Sequence, residues 1–151
     1  MSEEHEYCWE ILQGHLNDVV LLFSRDYPAL DFKIFKLDTS IYSAYVTYRS
    51  KHGTTMCLRI ANGAHFPMQP PSIIYVNAKT LQPSSECKDW PNMTHFFPAG
   101  HLSSFPEGFI CCSLTLEFKR FYKDSDWGHG AGKAHTLEEA MRAILKLAQE
   151  I

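Results

Sequence analysis

Tyr42-Ser43-Ala44-Tyr45-Val46-Thr47-Tyr48-Arg49-Ser50-Lys51-His52-Gly53-Thr54-Thr55-Met56-Cys57-Leu58-Arg59-Ile60 holds two alternating runs around a polar, glycine-containing break. Tyr42, Ala44, Val46 and Tyr48 fall on one face of an extended chain, and Met56, Leu58 and Ile60 on one face of the next, the period of two that side chains follow along a strand. Arg49 to Gly53 is too short to hold a crossover, so the two strands pair antiparallel through a turn. Outward from this pair, Phe32 and Ile34 begin a similar run before Asp38-Thr39-Ser40, and Ser72-Ile73-Ile74-Tyr75-Val76 makes a shorter one after it. The pattern predicts a four-stranded antiparallel meander.

A different period flanks the strands. Trp9, Leu12, Leu16, Val19, Val20 and Phe23 recur every three or four residues and predict an opening helix that ends at Tyr27-Pro28. Thr136-Leu137-Glu138-Glu139 is a capping box, in which the Thr136 hydroxyl and the Glu139 carboxylate satisfy each other's backbone donors. It starts a second helix over 136–150 with Leu137, Ala140, Met141, Ile144, Leu145 and Ala148 as its buried stripe. Between Asn77 and His135 neither period holds, and prolines and glycines punctuate the stretch. A segment of that length without regular structure inside a domain points either to function or to an element its sequence does not reveal. Helix, meander, irregular region and helix together predict an α+β fold.

The 151 residues carry 14 Lys+Arg against 17 Asp+Glu, a net charge of −3, with 45% hydrophobic and 21% charged residues. That is one domain's worth of ordinary globular chain, so a single domain over 1–151 is expected. A mildly acidic chain with no Lys/Arg block has no electrostatic footprint for nucleic acid or an anionic membrane, and neither is expected as a partner. Val19 to Phe23 falls far short of the roughly 20 apolar residues of a membrane span. The acidic start Met1-Ser2-Glu3-Glu4-His5-Glu6 is unlike a secretory signal, and a cytoplasmic location is expected.

Cys8, Cys57, Cys87, Cys111 and Cys112 are odd in number and include no Cys-x-x-Cys pair, which argues against a disulfide framework. Most free cysteines are buried as small hydrophobes. Cys111 differs in its setting: it ends the turn Gly108-Phe109-Ile110-Cys111, after Pro106 and before a polar loop. A thiolate attacks an acyl carbon well and also leaves well from the resulting thioester, so a thiol placed there can carry acyl groups. His95, His101, His129 and His135 lack zinc-ligand spacing with the cysteines, and no metal is expected. Trp90-Pro91, Phe96-Phe97-Pro98 and Trp127 read as a satellite core under a long loop.

These residues resemble the ubiquitin-conjugating enzymes. Phe66-Pro67-Met68-Gln69-Pro70-Pro71, just before the fourth strand, is similar to that family's Tyr-Pro-Phe-x-Pro-Pro segment. Forty residues after Pro71, Gly108-Phe109-Ile110-Cys111 resembles its Gly-x-Ile-Cys active-site turn, and Trp127 and the capped helix follow in the family's order. The resemblance spans nearly the whole chain and implies a ubiquitin-conjugating-like fold whose long irregular region wraps the nucleophile. It implies that Cys111 is the thioester cysteine, and that Cys112 occupies a position where the family has leucine. No cofactor is implied: ATP would be used upstream by an activating enzyme, and the chain has no Gly-x₄-Gly-Lys-Ser/Thr phosphate loop.

The departures carry information too. Where the family has His-Pro-Asn, with the asparagine supporting the loop and the oxyanion, this chain has His101-Leu102-Ser103. Ser103 can donate one hydroxyl hydrogen bond of shorter reach, and His101 is expected to stay structural. The opening helix starts on Glu3, Glu4 and Glu6 where the eukaryotic enzymes present a basic face to the activating enzyme. Gly128-His129-Gly130-Ala131-Gly132-Lys133 replaces a short proline-containing link and reads as a gate loop centred on His129, or simply as slack. Within 1–151 the later helices of the family and its acidic gate residue are not expected. This trimmed pattern resembles bacterial members found in antiphage operons, some of which act on the C-terminal glycine of a cyclic-oligonucleotide synthase and others on ubiquitin-like proteins. The expected partner is therefore a protein with a C-terminal glycine, and the expected activity its transfer from Cys111 to an amine such as lysine. The alternative is a non-catalytic module of the same fold, which Ser103 favours and Cys111 disfavours.

Overall fold

The computed structural model describes residues 3–62, 65–85, 106–128 and 135–151. Helix α1 spans Glu3–Asp26 and buries Cys8, Trp9, Leu12, Leu16, Val19 and Phe23, the expected stripe with one cysteine added. Its acidic first turn faces the positive end of the helix dipole. A short 3₁₀ turn at Pro28–Leu30 leads into β1 (Lys33–Asp38), followed by β2 (Ser43–Arg49), β3 (Thr55–Ala61) and β4 (Ser72–Val76). The strands form one antiparallel sheet in the order β1-β2-β3-β4, the predicted meander. Ala44 faces Ile60, Val46 faces Leu58 and Tyr48 faces Met56, so the alternating residues of the two central strands share one face.

That face, α1 and the last helix enclose the main core. The last helix, Leu137–Leu147, buries Leu137, Ala140, Met141, Ile144 and Leu145, and Ala148 at its C-cap is buried as well. The Thr136 hydroxyl accepts the Glu139 amide at 3.2 Å, the expected half of the capping box, and donates to the Glu139 carboxylate at 2.9 Å, which takes the hydroxyl rather than the Thr136 amide as its partner. Arg142 ties this helix to α1. Its guanidinium bonds Asp26 at 3.0 Å and the Tyr27 hydroxyl at 2.7 Å, and lies 5.4 Å from the Phe23 ring centroid. Arg25 and Arg142 together hold the Asp26 carboxyl down at about 2. A fully buried Leu, Ile or Phe contributes about 1.5–3 kcal/mol to such a core, and among the described residues Cys8, Cys57, Cys111 and Cys112 are free thiols.

Two features depart from the expected pattern. Strand β2 is buried on both faces, because Tyr45 packs with Cys57, Ile74 and Val76 into a second cluster that Ala78 and Leu81 help cover. The region from Asn77 to His135, expected to be irregular throughout, contains a helix at Leu116–Tyr122. We number it α2 and the last helix α3. Thr115 starts α2, its hydroxyl accepting the Phe118 amide at 3.2 Å. Among the described residues no helix is long and apolar enough to cross a membrane.

Helix α2 lies against β4. Glu117 is half-buried on it and accepts both the Ile73 amide at 2.9 Å and the Ser72 hydroxyl at 2.5 Å. The Tyr75 amide, further along the same edge, donates to the Gly108 carbonyl at 2.9 Å. Donors that β3 does not use are thus taken by the segments on either side of Cys111, which protects the strand from foreign pairing.

Candidate functional site

The segment before Cys111 is fixed by one glycine. The Phe109 amide donates to the Pro106 carbonyl at 3.2 Å, closing a β-turn with Gly108 at its third position. Gly108 has φ 78°, as a type II turn needs there and as other residues rarely adopt. A Cβ at Gly108 would drive into the Tyr75 carbonyl oxygen and stand 3.3 Å from its carbon. Its amide also donates to the Ser85 hydroxyl at 3.1 Å.

Beyond the turn, Phe109 and Ile110 are fully buried, and Phe109 packs 6.0 Å from the Phe121 ring on α2. The Cys112 amide then donates to the Ile110 carbonyl at 2.8 Å, which makes Cys111 the centre of a three-residue γ-turn. The two neighbours of Cys111 point into the core while Cys111 itself is half-buried. Cys112 is 4% exposed and belongs to the main core. Burial pushes its thiol up to about 11, so it is a poor source of thiolate. Its carbonyl accepts the Thr115 amide at 3.1 Å and hydroxyl at 3.0 Å, and the same residue then caps α2.

Cys111 lies in a cleft of about 590 Å³. Cys111 and Leu114 come from the loop, Phe118 from α2, and Ala143, Lys146 and Leu147 from α3. The Tyr122 phenol lies within hydrogen-bonding reach of the Cys111 thiol, and burial followed by the nearness of that thiol raises the pKa of the phenol. The phenol therefore stays protonated at neutral pH. Phe118, one turn earlier, sets the Tyr122 ring with a centroid distance of 4.5 Å.

The proline-rich segment reaches this site through the chain that follows Cys111. The Leu116 amide donates to the Pro71 carbonyl at 2.9 Å, Lys119 bonds Gln69, and the Trp127 indole N–H donates to the Pro67 carbonyl at 2.8 Å. Trp127 also packs 5.9 Å from Phe66, whose ring meets His15 edge-on at 5.0 Å. His15 accepts the Leu137 amide through Nδ1 at 3.3 Å, and burial lowers its pKa. The two motifs singled out in the sequence are thus joined by α2 and Trp127.

Of the expected site residues, Cys111 is placed on the cleft, whereas His101, Ser103 and His129 lie outside the described residues, as does Cys87. Cys8 and Cys57 are buried, as expected of core cysteines. Tyr122, Phe118 and Lys146 were not expected at the site. Tyr122 and Phe118 stand on a helix of only seven residues, too short for its apolar period to stand out. Its sequence signal is the Thr115 cap with Glu117 in the first turn. No family model, curated protein or solved structure matches the chain.

Proposed function

We propose that the chain is a ubiquitin-conjugating-like acyltransferase that carries the C-terminal glycine of a partner protein as a thioester on Cys111 and passes it to an amine. The observation that carries this reading is the setting of Cys111: a half-buried thiol on a γ-turn, between buried neighbours, opening on a cleft. The Cys111 thiolate attacks the activated glycyl carbonyl, its leaving group departs, and a thioester forms. An amine then adds to the same carbon, the C–S bond breaks, and Cys111 leaves as thiolate while an amide forms. The buried Phe109, Ile110 and Cys112 hold the turn rigid, so the sulfur need not be ordered at the moment of reaction. The α+β order of elements and the spacing of Phe66–Pro71 and Gly108–Cys111 support the same reading.

Intact mass after incubation with a candidate partner and its activating enzyme tests this. A reductant-labile adduct of partner mass is expected on the wild type, a more stable oxyester on Cys111→Ser, and no adduct on Cys111→Ala. Tight binding without an adduct would favour a non-catalytic module. Full conjugation by Cys111→Ala with loss in Cys112→Ala would overturn the choice of nucleophile.

A further inference from the structure

Lys146 lines the same cleft as Cys111 and comes to it from α3. It stands in the last turn of α3, exposed, with Ala143 and Leu147 beside it on the cleft. Among the described residues no carboxylate pairs with its ammonium, whereas Lys33 is paired with Asp31 and Lys119 is bonded to Gln69. Leu114, Phe118, Ala143 and Leu147 make most of the lining apolar, and Lys146 is the one amine among the lining residues, beside the Ser113 hydroxyl and the buried Cys112 thiol. A four-carbon stem lets the amine sweep the cleft while its base stays on a rigid helix.

We infer that Lys146 is an acyl acceptor built into this cleft, so that the chain transfers the group carried on Cys111 to its own α3. This rests on Cys111 being an acyl carrier. The neutral Lys146 amine adds to the thioester carbonyl carbon, and the proton lost from nitrogen passes to solvent. The C–S bond breaks with its electron pair going to sulfur, leaving an isopeptide amide on Lys146 and a free Cys111 thiolate. Holding amine and thioester in one cleft replaces a bimolecular encounter by an intramolecular one, which raises the rate over free lysine in solution. The product is a chain modified at the mouth of its own site, with Cys111 chemically free but its cleft filled.

The test uses the whole chain and a glycylglycine thioester of mercaptoethanesulfonate, which loads a reactive thiol by exchange without any partner. Mass spectrometry follows the acyl group over time, before and after dithiothreitol. The wild type should load on Cys111 and then convert to a dithiothreitol-resistant adduct that peptide mapping places on Lys146. Lys146→Arg should load equally but convert at least about tenfold more slowly, the loss expected when an intramolecular amine is removed. Cys111→Ala should form neither species. Loading without conversion, equal conversion by Lys146→Arg, or a resistant adduct at another residue would overturn Lys146 as the acceptor while leaving Cys111 as carrier. Failure of Cys111 to load would overturn both.

Discussion

Gly108 and Tyr75 meet backbone to backbone: the Tyr75 amide donates to the Gly108 carbonyl at 2.9 Å, and the Gly108 α-carbon faces the Tyr75 carbonyl with no room for a side chain. The contact sets the height at which the chain leaves β4 and therefore where Cys111 stands, three residues on.

Gly108→Ala should therefore affect both stability and the thiol. The substitution combines a left-handed φ with a clash against backbone, which cannot rotate away. The two effects together should cost roughly 2–4 kcal/mol. Urea unfolding followed by tryptophan fluorescence reads the loss, and the folded fraction should show a changed Cys111 alkylation rate. Gly53→Ala is the control, since Gly53 has a similar φ of 89° with open space around it. A loss at Gly108 no larger than at Gly53 would mean that Tyr75 yields.

Tyr122→Phe should slow alkylation of Cys111. The phenol is within hydrogen-bonding reach of the thiol, and the substitution removes that contact while keeping the ring. Iodoacetamide labelling near pH 7.5 should fall roughly three- to tenfold, with Cys111→Ser reporting any labelling elsewhere. Because Tyr122 is partly exposed, the Phe variant should keep its fold, which circular dichroism checks. An unchanged rate would remove Tyr122 from the site.

The physical reasons for what could be read from the chain differ by element. The meander and the two long helices were legible because each buries a whole stripe: Ala44, Val46 and Tyr48 repeat at two, and Leu12, Leu16, Val19 and Phe23 at three to four. Gly108-Phe109-Ile110-Cys111 was legible because a glycine, two apolar anchors and a reactive residue follow one another within a single turn. Tyr122 and Lys146 were not. Tyr122 comes near Cys111 from α2, and Lys146 lines its cleft from α3, so both depend on helix placement over 11 and 35 residues of chain that no local period encodes. The burial of Tyr45 was equally hidden, since the cover on the outer sheet face comes from Ala78 and Leu81 in a loop.

Glu117 makes a prediction with a definite sign in pH. Burial holds its carboxyl above the ordinary 4.5, against the opposing hydrogen bonds from Ser72 and the Ile73 amide. A carboxyl with a raised folded pKa binds more protons when folded than when unfolded. Its contribution to stability is therefore fully present below about 4.5 and lost as pH rises through the folded value. Glu117→Gln keeps an acceptor for the Ile73 amide and carries no charge to desolvate, so it should match or exceed the wild type above that window and lose its advantage below it. Glu117→Ala leaves the Ile73 amide and the Ser72 hydroxyl unpaired at a buried edge, and should cost roughly 1–3 kcal/mol at neutral pH. Urea midpoints of the three chains from pH 4 to pH 8 separate these effects. A Gln variant less stable than the wild type at pH 8, and equal to it at pH 4, would show that the ionised carboxylate is the form the fold requires.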